Sequence, residues 1–132
     1  MDASVLLRVI QGAPGALASW PKLAPVASEL IQVECLRTID RARASQAVDD
    51  LTSSEHRAAV LTALATFGLA PITEEVLKRA ADPFPTSLGT LDAIHLATAL
   101  ELRHEQPTLT FATHDRELAL AARSMGFEVD GV

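Results

Sequence analysis

A chain of 132 residues, 48% apolar and 21% charged, is long enough to bury a core without staples and reads as one domain over 1–132. One cysteine, Cys35, excludes an intramolecular disulfide framework, and no run reaches the roughly 18 apolar residues that span a bilayer. The net charge of −6 excludes a polybasic tail for membrane or bulk DNA. The start has no basic stretch followed by a cleavage site, so a cytoplasmic protein is expected.

In chain order, Met1 to Ala3 is predicted as a very short strand entering a helix over Ser4 to Gln11. Gly12-Ala13-Pro14-Gly15 ends that helix. A short buried strand follows at Ala24 to Ala27. Ser28 is placed to cap a helix running to about Arg43, with Glu29 in its first turn. Ser53 or Ser54 is predicted to cap a helix over Glu55 to Phe67, closed by Gly68. Leu69 to Ile72 reads as a brief strand, and Thr73 as the cap of a helix to about Ala81. The segment from Asp82 to Gly89, with two prolines, is a loop. Thr90 caps a largely apolar helix over Leu91 to Leu102. A strand at Leu109 to Ala112, a helix at Arg116 to Ser124 and a final strand at Phe127 to Val129 complete an alternating pattern. Short apolar runs separated by helices point to an α/β fold with a parallel sheet.

Four carboxylates stand inside or against apolar segments: Asp2, Glu34, Asp92 and Asp115. An ionised carboxylate buried alone is costly, so such groups are paired, hydrogen-bonded or bound to a cation. Each has a simpler reading. Asp92 and Asp115 are placed to cap helices, Glu34 to pair with Arg37 or Arg8, and Asp2 to be polar chain-terminal surface. Together they suit a hard cation, Mg²⁺ or Mn²⁺, because the set offers oxygen donors rather than thiolates. Ser4 reads equally as a helix cap or as a hydroxyl on the cluster, and Thr113 as a strand-end cap or an orienting hydroxyl. Cys35 reads as a core filler, since no basic neighbour lowers its pKa. His95 reads as a core-edge histidine with one satisfied hydrogen bond, and His114 as a loop residue.

The blocks Met1-Asp2-Ala3-Ser4-Val5-Leu6-Leu7, Ser28 to Arg37, Leu91-Asp92-Ala93-Ile94-His95-Leu96-Ala97 and Phe111 to Leu118 resemble, in order and spacing, a PIN domain. More narrowly, the chain is similar to the VapC toxins of bacterial toxin–antitoxin modules. The resemblance implies a three-layer α/β/α fold around a central parallel sheet and Mg²⁺- or Mn²⁺-dependent endoribonuclease activity. It maps the family's four acids onto Asp2, Glu34, Asp92 and Asp115, as catalytic and metal-binding residues. Ser4 takes the family's hydroxyl position, and Ser4, Arg37 and Thr113 are the expected substrate-side residues. It also implies a cognate antitoxin laid across the acidic groove, a homodimer, and contact with operator DNA only through the antitoxin.

Two departures are visible. Family members usually carry several apolar residues before the first Asp, whereas Met1 alone precedes Asp2 here, so the first strand is truncated or the true start lies upstream. Thr113 and Glu117 flank Asp115 where some relatives carry a further acid, which favours one ion over two. With four phenylalanines, one tryptophan and no tyrosine, an aromatic stacking platform for RNA is not expected. Arg8, Arg37, Arg41 and Arg43 are the cations nearest the acids, Arg43 reading as a solvated helix end. Two other classes fit less well. A binding module that has lost catalysis does not need four acids, and a Mg²⁺-dependent DNA nuclease of related fold needs more chain.

Overall fold

The computed structural model describes residues 1–17 and 20–132. Helix α1 spans Ala3–Ile10, followed by a 3₁₀ turn at Trp20–Lys22 and strand β1 at Val26–Ser28. Helices α2 (Leu30–Ala44) and α3 (Asp50–Leu64), strand β2 (Gly68–Ala70), and helices α4 (Glu74–Ala81) and α5 (Thr90–Arg103) come next. Strand β3 (Phe111–Ala112), helix α6 (Arg116–Ser124) and strand β4 (Val129–Asp130) finish the chain.

The pairings are parallel. Val26, Ala27 and Ser28 of β1 face Gly68, Leu69 and Ala70 of β2, while Phe111 and Ala112 of β3 face Val129 and Asp130 of β4. Met1 and Asp2 link the two ladders. The α-amine of Met1 donates to the Val26 carbonyl at 2.9 Å, and the Asp2 N–H donates to the Ala112 carbonyl at 3.2 Å. Burial pushes that amine down to about 6. The strand expected at Met1 to Ala3 is therefore reduced to two bridging residues. Helix α1 already starts at Ala3, because a run with Ala3, Val5 and Leu6 at buried positions gains more from a packed helical face than from a longer ladder.

Helices cover the sheet from both sides, the three-layer α/β/α arrangement. Ala3 and Leu6 of α1, Ala27 of β1, Ile31, Cys35 and Ile39 of α2, and Val60 and Leu64 of α3 form one core cluster. Leu96 and Ala99 of α5, Phe111 of β3, Leu118, Ala121 and Ala122 of α6, and Phe127 form a second. Phe111 and Phe127 meet with ring centroids 5.8 Å apart, within the range of a favourable tilted pair.

Several boundaries differ from the sequence reading. Helix α3 starts at Asp50, because Asp49 caps it by accepting the Thr52 N–H at 2.7 Å; neither Ser53 nor Ser54 does so. Gly68 lies in β2 instead of closing α3. Strand β1 is shifted toward Ser28, whose hydroxyl still accepts the Leu30 N–H at 3.2 Å. Gly89 precedes α5 where Thr90 was expected to cap it. Strands β3 and β4 are shorter and later than expected. The Thr73 cap is observed, its hydroxyl accepting the Val76 N–H, and α6 has the expected bounds.

Gly131 follows β4 with φ +101°, and a Cβ built on it meets the Thr113 carbonyl oxygen at 2.5 Å. Gly131→Ala should therefore cost about 1–3 kcal/mol in urea denaturation, from backbone strain and displacement of Thr113. An unchanged midpoint contradicts the close approach.

Candidate active site

In open α/β sheets, ligands bind beyond the carboxyl ends of the strands. Asp2 ends the bridging segment. Glu34 lies on the helix that follows β1, and Thr113 and Asp115 follow β3 directly. Asp92 sits in the first turn of α5.

Asp2 is only 4% exposed, and both of its carboxylate oxygens are held. The Ser4 hydroxyl donates to Oδ1 at 2.7 Å, and the Thr113 hydroxyl donates to Oδ2 at 2.8 Å. The two hydroxyls are themselves fixed. Ser4 Oγ accepts the His114 N–H at 2.9 Å, and Thr113 Oγ1 accepts the Asp115 N–H at 3.0 Å. Each hydrogen bond to an ionised group contributes about 1.5–3 kcal/mol, so this relay stabilises a charge that burial alone would expel. Thr113 is fully buried, so its hydroxyl orients acids and does not face solvent.

Asp115 is exposed and caps α6, its Oδ1 accepting the Leu118 N–H at 2.8 Å. The capping role read from sequence is thus present, with the second oxygen left over. Asp92 is different: it makes no capping bond, and α5 is entered without a side-chain cap. Desolvation raises the Asp92 carboxyl above the ordinary carboxylate range. The charges of Asp115, Asp2 and Glu34 add to that rise, and His95 opposes it. All four acids thus act on one region of space. Cys35 feels the same field, its thiol pushed up to about 12 by burial, then by Glu34 and Asp2, which keeps it an inert core group.

Glu34 has neither expected arginine partner. His95 Nε2 lies 2.6 Å from Glu34 Oε2, whereas Arg37 pairs with Asp40 at 2.9 Å. Arg43 pairs with Asp40 and reaches Asp50, and Arg41 donates to the Thr38 hydroxyl, so these side chains stabilise α2 and its junction with α3. Leu30, Val33, Glu34, Arg37, Arg41 and Leu91 line an open cavity of about 180 Å³ beside Glu34. The His95–Glu34 contact escaped the sequence reading, although both residues are polar members of otherwise apolar helix faces. His114 is tied down as well, its Nδ1 lying 2.6 Å from the Gly131 carbonyl.

Among the described residues, no three of the His, Cys, Asp and Glu side chains are close enough to hold one ion together. Mg²⁺ does not require three, since it commonly takes one or two carboxylates and keeps several waters. The donor set fits that cation: oxygen ligands, mutual repulsion recorded at Asp92, and free oxygens on Asp92, Asp115 and Glu34. Tight all-protein coordination is not what this arrangement offers.

The PIN domain model matches residues 1–123. This chain belongs to the PIN-domain family. It is also similar to the ribonuclease VapC47 of Mycobacterium tuberculosis (strain CDC 1551 / Oshkosh), with 32% identity over 108 residues, covering 70% of this chain and 78% of that one. Within this PIN-domain protein, Asp2 lies where the two ladders meet, Thr113 and Asp115 follow β3, and Glu34 and Asp92 stand on α2 and α5.

The raised Asp92 carboxyl gives a stability prediction with a definite sign. Folding disfavours its charged form, so the metal-free protein should lose stability as pH rises from the ordinary carboxylate range through the raised folded value. Asp92→Asn should raise the metal-free melting temperature by a few degrees at neutral pH, and the gain should vanish near pH 3, where Asp92 is protonated folded and unfolded alike. A variant that unfolds at neutral pH contradicts this reading.

Proposed function

We propose that this chain is a Mg²⁺- or Mn²⁺-dependent endoribonuclease, a single domain over 1–132, acting as the toxin of a toxin–antitoxin pair. The observation that carries the reading is the field shared by Asp2, Glu34, Asp92 and Asp115 in a PIN-domain chain similar to a VapC ribonuclease. These four acids would surround the ion, one or two of them binding it directly and the others through its waters. When bound, it supplies water activation and neutralises charge on the phosphoryl oxygens.

The chain's own residues do the rest. Ser4 and Thr113 hold Asp2 in one orientation, which makes them supports of the acids, and Thr113 is too buried to meet a substrate. The Leu118 N–H fixes one oxygen of Asp115. Asp92 keeps both oxygens free of protein donors among the described residues. Arg37, exposed at the rim of the cavity beside Glu34, can exchange Asp40 for a substrate phosphate with little loss, because exposed ion pairs contribute only about 0–1 kcal/mol. An acidic groove also invites a basic side chain, so the cognate antitoxin is expected to place Arg or Lys among the acids, with operator DNA bound through the antitoxin alone. Leu51 and Leu61 of α3 and Leu77 of α4 are exposed and supply apolar surface for a homodimer. No helix among the described residues is long and apolar enough to cross a membrane, which is compatible with action in the cytoplasm.

Purified protein freed of antitoxin should cleave RNA with Mg²⁺ or Mn²⁺, stop in EDTA, and lose roughly 100-fold or more activity as Asp92→Asn. Because water and not the ribose 2′-hydroxyl is the nucleophile, products should carry 5′-phosphate and 3′-hydroxyl ends. Cleavage undiminished by chelator, or a 2′,3′-cyclic phosphate product, would sink the metal-dependent hydrolysis.

A further inference from the structure

We propose that His95 is the positioning residue for Glu34, its Nε2–H gripping Oε2 so that Oε1 is left for the cation. This rests on the metal-dependent reading given above. His95 is 3% exposed on α5, and its Nε2 lies 2.6 Å from a carboxylate on α2 sixty-one positions away in the chain. One turn before it, the same helix carries Asp92. A single helix thus presents one acid directly and anchors another, which fixes the spacing between the two wherever α5 moves.

Accounting for the protons places one of them. An ionised carboxylate has none to offer, so the hydrogen in this contact belongs to Nε2. His95 Nδ1 is buried with no partner among the described residues. The geometry therefore places a proton on Nε2, the nitrogen that faces the carboxylate. Among the described residues, no other side chain bonds Glu34, and its Oε1 has no protein donor. Without His95, the glutamate's flexible side chain is free to swing toward solvent or toward Arg37 and Arg41, which line the adjoining cavity.

A histidine kept only to fill the core makes a different prediction, because then the reach of the replacing side chain is irrelevant to the cation. His95→Gln and His95→Asn separate the two. Both introduce a neutral amide, but only glutamine extends far enough to put an N–H near the Nε2 position. The probe is Mn²⁺ alone, titrated into full-length metal-free protein and followed by the electron paramagnetic resonance of the free ion. His95→Gln should bind Mn²⁺ close to the wild-type value, and His95→Asn about 10–100-fold more weakly, the usual loss when a supporting hydrogen bond to a ligand is removed. Equal affinities in the two variants, whether both kept or both lost, overturn the proposal.

Should either variant fail to fold, the wild-type protein decides. Long-range ¹H–¹⁵N correlation of the His95 ring in the metal-free state should show the proton on Nε2. A ring protonated on Nδ1 alone overturns the proposal without any variant. A wild-type protein that binds no Mn²⁺ at all removes the metal reading and this one with it, whereas wild-type binding with indifferent variants removes this one only.

Discussion

A charged carboxylate at the middle of the sheet is the constraint around which this chain is arranged. Asp2 lies between two parallel ladders, nearly sealed from solvent, and only donors brought to it by the fold make its ionised form tolerable. One donor, Ser4, comes from the next turn of chain. The other, Thr113, arrives from 111 residues away, at the end of β3. Asp2 and the Met1 before it also join the ladders through main-chain hydrogen bonds, so the site and the sheet cannot be assembled separately.

That coupling explains the distribution of rigidity. The supports of Asp2 are themselves tied to the His114 and Asp115 amides, and His114 is tied to Gly131 at the end of β4. Asp92 and Glu34 approach from helices α5 and α2, which the His95–Glu34 contact joins. The result is Asp2 held at both oxygens, Asp115 and Glu34 held at one each, and Asp92 at neither among the described residues. Acids gathered in this way disfavour the ionised form of Asp92, a conflict between the cluster and the stability of the fold that carries it.

Much of this was legible in the chain itself. The four embedded acids stand out because they interrupt apolar runs, and burial against like charge is what the structure gives Asp92. Helix α6 and the Thr73 cap follow from local signals that tertiary packing does not override. The start of α3 did not, because Asp49, Ser53 and Ser54 all have capping chemistry, and only the chain's path after α2 selects the first. The partner of Glu34 was equally out of reach. Arginines on its own helix looked nearest, yet Arg37 turns outward to Asp40, and the partner comes from α5 by a tertiary contact with no local periodicity to announce it. Cys35 was read correctly as a core group, but its nearness to the acid field is a property of packing alone.

The convergence of the four acids on one cation is tested most directly by anomalous diffraction from crystals of this protein grown or soaked with Mn²⁺. A strong anomalous peak should lie within ligand or water-bridged distance of Asp2, Glu34, Asp92 and Asp115, with Ser4 and Thr113 still bonded to Asp2. A peak located elsewhere, or saturating Mn²⁺ with no peak among these carboxylates, would contradict it.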